Sequence, residues 1–181
     1  MRIAKATLTK AWIWSSGLAV AVFAVLTLLD YRLKALSGVN VTDLSGFSSW
    51  AQFQLAFRAW ARAPFAARAG FNLGFGYLLM PLYAVSFFCS GIIAAEGLAP
   101  KPGTLRRVIM AAIWVPVIAA FADAIGNGLY LAMLAASPSE ALATLAASAS
   151  RIKTVGLLVG LALFVAAALA WFQARQARVL R

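Results

Sequence analysis

The sequence predicts an all-α integral membrane protein, a four-helix bundle with an additional amphipathic helix at the interface in its first outer loop. Three observations carry this: a composition too apolar for water, four long uncharged runs, and aromatics spaced at a helical period between the first two runs. The whole chain, 1–181, reads as one transmembrane domain.

Of 181 residues, 64% are hydrophobic and 12% charged, and the mean hydropathy is +0.88. A soluble domain carries about a quarter charged residues. A core of this size cannot hide so much apolar surface, and too little polar surface remains to face water. A bilayer removes the conflict by being the apolar solvent.

Subtraction bounds the chemistry. There is no His, and Cys89 is the one cysteine. Zinc sites, haem ligation by His and the Ser-His-Asp triad all need residues that are missing. A single thiol forms neither an internal disulfide nor a C-x-x-C pair; in its apolar run, Cys89 reads as a small core residue. No metal site and no cofactor are expected. The net charge of +11 would suggest nucleic acid in a soluble protein. In a membrane protein, basic residues mark helix ends and meet anionic headgroups, so nucleic acid is not expected.

The first span is placed at residues 11–29, nineteen without a charge, between Lys10 and Asp30. At about 1.5 Å per residue it covers the roughly 30 Å hydrocarbon core. Trp12 and Trp14 near one end and Tyr31 at the other suit the interfaces. A cleaved signal peptide competes, given Arg2, Lys5 and Lys10 before the run. Its length and the lack of an A-x-A site favour a retained helix. The second span is residues 70–95, with Pro81 expected to kink it. Gly70/Gly74 here and Gly156/Gly160 in the fourth span are small-xxx-small steps that permit close helix approach. The stretch 97–107, GLAPKPGTLRR, reads as a short polar turn. The third span is 108–136, interrupted by Pro116 and Asp123, and the fourth is 155–172, followed by Arg175, Arg178 and Arg181.

Orientation follows the basic residues. With the N-terminus inside, nine of sixteen lie on inner segments and seven on outer ones. The inner segments are much shorter, so their basic density is higher, and short loops weigh most. Both termini are expected in the cytoplasm.

The first outer loop is too long for a connector. Within 47–62, Phe47, Trp50, Phe53, Phe57 and Trp60 fall on one arc of a helix, while Ser48, Gln52, Arg58 and Arg62 fall on the other. Pro64 ends it. Such a helix either lies flat among headgroups or packs its aromatics as a cap on the bundle; the two are compatible.

Asp123 is the acid set deep in an apolar run, where a carboxylate costs several kcal/mol unless paired, protonated or hydrated. Asn127 follows on the same helix face. Ser137-Pro138-Ser139-Glu140 reads as a helix start, with Ser137 as N-cap, Pro138 at the first position and Glu140 closing a capping box. A sharp reversal there puts Asp123, 14 residues before Ser137, within about 3 Å in depth of Lys153, 16 after it. Ser148 and Ser150 come level with Asn127, and Asn72 enters the second helix from the same side. This candidate intramembrane polar layer is either a pocket for a lipid headgroup or small solute, or a buried Asp123–Lys153 bridge that fixes helix register.

The string FADAIGNG, followed after about twenty residues by SASRIK, resembles a pattern in small uncharacterised bacterial four-helix membrane proteins. There, an Asp-x-x-x-Asn helix precedes a Ser-x-x-Thr-x-x-Lys stretch. The match covers Asp123, Asn127, Ser148 or Ser150, and Lys153, about a quarter of the chain, and departs from the pattern at Gly126. It implies a bacterial cytoplasmic membrane and no particular activity.

The resulting expectation is a non-enzymatic accessory, assembly or lipid-binding component, whose partners are membrane lipids and a larger membrane complex or further copies of itself. A small transporter using Asp123 is the alternative. A lipid-modifying enzyme relying on Asp123, Lys153 or a serine is a third reading.

Overall fold

A computed structural model describes residues 5–136 and 138–179. Seven helices and no strand are present among them: α1 (Lys5–Ser37), α2 (Val41–Leu44), α3 (Trp50–Trp60), α4 (Ala63–Leu98), α5 (Thr104–Ala112), α6 (Trp114–Ala135) and α7 (Glu140–Val179). Four stretches are long and apolar enough to cross a membrane: Ala6–Ser37, Pro64–Leu98, Thr104–Ala135 and Glu140–Gln176.

These helices outrun the apolar runs that announce them. The α1 helix passes Asp30 and continues to Ser37, because Asp30 is buried and supplied with donors from this chain. It stops at Gly38, whose φ of +82° is the left-handed conformation glycine adopts freely; the Gly38 N–H bonds back to the Lys34 carbonyl at 2.8 Å. Helix α4 begins at Ala63, so Pro64 both follows the end of α3 and sits in the first turn of the next helix. Pro81 lies inside α4, which continues through it. The third apolar run is divided at Ile113, three residues before Pro116. The proline has no N–H for the Ala112 carbonyl and its ring crowds that group, so the helical ladder resets just upstream.

The start of the last helix differs from the expected cap. Ser137 lies outside the described residues. The helix opens at Glu140, and the Ser139 hydroxyl accepts the N–H of Leu142 at 3.3 Å, which makes Ser139 the capping residue.

The chain divides into two compact units. The first comprises Met1–Ala19, Pro81–Ala120 and Thr154–Arg181; the second comprises Val20–Met80 and Phe121–Lys153. In the first, Leu8, Trp12, Cys89, Ala94 and Ala167 form the buried cluster. Trp12 is buried: its indole N–H donates to Ser90 Oγ at 2.9 Å and its ring meets Phe164 and Trp171. Ser16 and Ser86 hydroxyls lie 2.7 Å apart, so α1 and α4 are joined here by hydrogen bonds between side chains. Small residues let α7 come close. A Cβ on Gly156 would lie 2.2 Å from the Ala119 Cβ and 3.1 Å from the Val115 carbonyl oxygen, and one on Gly160 would strike the Phe87 ring.

In the second unit, Leu33, Leu44, Phe53, Ala56, Phe57, Trp60, Leu73, Tyr130 and Met133 form the heart of the core. Helix α3 explains much of it. Its start is fixed by Gln52, whose Oε1 accepts the N–H groups of Ser48 and Ser49 at 2.9 and 3.1 Å. Phe53, Phe57 and Trp60 are buried, and Phe47 and Trp50 pack partly against them. The Trp60 indole N–H reaches Ser37 Oγ and the Val39 carbonyl, each at 3.2 Å.

Much apolar surface stays outside. Along α1, Trp14, Val20 and Phe23 are 70%, 68% and 60% exposed. Such a surface calls for an apolar surrounding.

The Gly156→Ala substitution is expected to destabilise the protein by about 1–3 kcal/mol through overpacking. Gly74→Ala, with nothing within 4 Å of its Cβ, is expected to be neutral or slightly stabilising, since alanine is the better helix former. Thermal unfolding of both variants in the same detergent micelle measures the difference.

Candidate functional site

The second unit holds two buried carboxylates, and each is satisfied differently. Asp123 on α6 is 6% exposed. Lys153 on α7 places Nζ 2.8 Å from Asp123 Oδ1, with the lysine side chain 27% exposed. The two residues that residue counting puts at similar depth are therefore in direct contact. The geometry suits a lysine whose aliphatic stem lies along the helix while its ammonium keeps some outlet.

Around this pair, α6 presents Asp123, Asn127 and Tyr130 on one face, by their spacing of four and three. Asn127 is buried and donates through Nδ2 to the Leu73 carbonyl on α4 at 3.1 Å. Gly76, one turn beyond Leu73, makes room for it, since a Cβ there would lie 2.9 Å from Asn127 Nδ2. In the other direction, the Tyr77 hydroxyl donates to the Ala124 carbonyl at 2.9 Å, and Gly128 is the residue beside it, 3.2 Å from hydroxyl to ideal Cβ. Each helix thus lends a side chain to the other's backbone over a glycine. Tyr130 completes the layer, its hydroxyl 3.1 Å from Ser150 Oγ and 3.4 Å from the Leu44 carbonyl.

Ser148 does not join this layer. It is exposed and donates to the Thr144 carbonyl of its own helix at 2.9 Å. Two residues apart on a helix means about 200° of rotation, so Ser148 and Ser150 cannot both face α6. Ser150 is the buried one.

Asn72 also lies elsewhere, on the second carboxylate. Asp30 of α1 is 7% exposed and accepts from the N–H groups of Val41 and Thr42 at 3.3 and 3.0 Å, from the Thr42 hydroxyl and from Asn72 Nδ2. These four donors are uncharged. They clasp the segment 39–44 onto α1 and α4. Asn72 Oδ1 is buried without a hydrogen-bond partner. Sequence reading missed Asp30, because it borders the first apolar run and passes for a boundary charge; the Asn40 to Asp43 capping box just beyond it was the available signal.

The aromatics Phe47, Trp50, Phe53, Phe57 and Trp60 face the unit's own core, and the opposite side is left open. There Leu55 is 65% exposed and Arg58 and Arg62 are exposed. Among the described residues, no group of three His, Cys, Asp or Glu side chains is close enough to hold a metal ion. Chemically, the layer offers an ion pair and a set of neutral hydrogen bonds, which position helices. Comparison with protein-family models, with curated proteins and with solved structures gave no match.

Lys153→Met leaves the Asp123 carboxylate buried without its cation, and is expected to cost about 3–5 kcal/mol. Asp123→Asn leaves an ammonium that already has an outlet, and should cost clearly less. The double variant should recover much of the Lys153→Met loss, as a double-mutant cycle of unfolding in micelles would record. Asp30→Ala removes the shared acceptor of Val41, Thr42 and Asn72. Faster hydrogen exchange confined to residues 39–44 is its expected signature, and protection as in the parent would contradict the clasp.

Proposed function

We propose that the protein is an integral membrane protein, a non-enzymatic accessory, assembly or lipid-binding component built on four membrane-spanning helices. The observation that carries this reading is that the buried polar side chains bond to groups of the same chain. Asp123 pairs with Lys153, Asn127 holds the Leu73 carbonyl, Ser150 meets Tyr130, and Asn72 bonds Asp30. Polar groups used in this way favour a scaffold over a reaction centre or an ion path. The small transporter stays as a second reading because Lys153 is 27% exposed, which gives the ion pair an outlet. Unchanged uptake or efflux in Asp123→Asn would remove it.

The orientation proposed is N- and C-termini in the cytoplasm. Its support is charge: the first unit, which contains both termini, carries nine of the sixteen basic residues and one of the five acids. The resemblance around Asp123 and Lys153 favours a bacterial cytoplasmic membrane. In this orientation Arg58 and Arg62 belong to the first outer loop, where basic side chains can meet headgroups.

Topology is tested by single thiols in a Cys89→Ala background. Ser139→Cys in intact cells is expected to react with a membrane-impermeant maleimide, and Lys101→Cys only after lysis; the reverse pattern inverts the topology. The accessory role is tested by native mass measurement after mild-detergent extraction. A lone monomer in every extraction would remove the assembly part of the reading.

A further inference from the structure

The cations of the second unit divide by residue type. It holds two lysines and five arginines. Both lysines are spent on acids, with Lys34 Nζ 2.8 Å from Asp43 Oδ1 and Lys153 Nζ 2.8 Å from Asp123 Oδ1. The arginines, Arg32, Arg58, Arg62, Arg68 and Arg151, are all exposed. None of their side chains has a hydrogen bond, an ion pair or a ring contact among the described residues.

Three of the five stand around one turn. Arg58 lies in the last turn of α3, and the turn continues through Ala61, whose φ and ψ are −59° and −18° and whose N–H meets the Arg58 carbonyl at 3.3 Å. Arg62 thus follows Arg58 at a spacing of four on one face, with Cβ atoms about 5–6 Å apart. The Arg62 carbonyl accepts the N–H groups of Phe65 and Ala66 at 3.0 and 3.3 Å, so the same residue opens α4. Arg68 comes six residues later, about 9 Å along that helix. No acid occurs between Asp43 and Glu96 to oppose these charges along the chain.

Apolar surface borders the turn on both sides. Leu55, three residues before Arg58, is 65% exposed, and Phe71, three after Arg68, is 60% exposed. The apolar stretch Pro64–Leu98 begins here, which in a spanning helix is the headgroup level. Orientation does not account for the arginines. With both termini in the cytoplasm, they stand on the side that basic residues avoid. Lysine would also serve as a flanking charge, whereas the planar guanidinium fork takes two oxygens of one phosphate at once.

We propose that Arg58, Arg62 and Arg68 form a binding site for the phosphate of an anionic glycerophospholipid. Arg58 and Arg62, side by side, grip the phosphate oxygens, and Arg68 adds its charge where the hydrocarbon begins. The apolar borders fit a phosphate that carries acyl chains. The inference rests on the membrane-spanning reading above and gives its lipid-binding part a place and a headgroup class.

The test uses the full-length protein, extracted from membranes and titrated with phosphatidylglycerol or phosphatidylcholine in detergent, with bound lipid counted by native mass spectrometry. Phosphatidylglycerol held at least about tenfold more tightly is expected, each basic side chain at a lipid surface being worth roughly fivefold. The double variant Arg58→Lys with Arg62→Lys keeps both charges, loses both forks and should lose most of the preference. Arg68→Gln should lower it roughly fivefold. Arg107→Gln, at an exposed cation of the first unit, should leave it as in the parent. Equal retention of the two lipids by the parent overturns the proposal, and so does a full preference in the double lysine variant, because flanking charge would then suffice. An equal loss in Arg107→Gln overturns it by making the preference a property of the whole surface. Inorganic phosphate that displaces phosphatidylglycerol completely overturns it in favour of a soluble anion, and an acidic protein that copurifies with the parent but not with Arg68→Gln overturns it in favour of that partner. A chain released from membranes by alkaline carbonate sinks the membrane-spanning reading as well, whereas an inserted chain without lipid preference sinks only this site.

Discussion

A carboxylate placed far from water must draw its hydrogen bonds and its countercharge from the chain itself, and the second unit is arranged around that requirement. Asp123 and Asp30 meet it by opposite means. Asp123 takes an ammonium from α7 at 2.8 Å. Asp30 takes four uncharged donors, two of them backbone N–H groups of a segment that follows it in sequence. Removing one partner from either arrangement leaves a buried charge short of its compensation, which is why such arrangements bind helices more firmly than their net energy suggests.

The same economy appears between neutral groups. The Asn127–Leu73 and Tyr77–Ala124 bonds tie α4 and α6 by side chain to backbone, each over a glycine that lets the partner approach. In the first unit, Trp12, Ser16, Ser86 and Ser90 do the comparable work between α1 and α4. Hydrogen bonds thus join these helices beside their apolar packing. Helix α3 adds a buried aromatic face to the Trp60 hydrogen bonds on Ser37 and Val39, and leaves Leu55 and Arg58 outside.

This division of labour also explains the outer surface. With polar groups turned inward, α1 and α7 present aliphatic and aromatic faces outward. The basic residues gather mostly in the unit that contains both termini. A surface of this kind is specific for its solvent before it is specific for any solute.

Composition and uncharged run length alone determined the all-helical class and the four apolar helices, because hydropathy is a sum over residues and needs no partner. Residue counting from the reversal expected at Ser137 also carried the pairing of Asp123 with Lys153, since the rise per residue is constant along a helix. Rotation about the helix axis was legible only in part. It excludes one of Ser148 and Ser150, but which of the two faces inward depends on how α7 is turned against α6. Tertiary structure alone decided that Asn72 serves Asp30, that the α3 aromatics face the core, and that the Trp12 indole N–H finds Ser90. Each of these is a choice between partners brought together from distant parts of the chain, and a linear pattern records the chemistry of a side chain but not what stands opposite it.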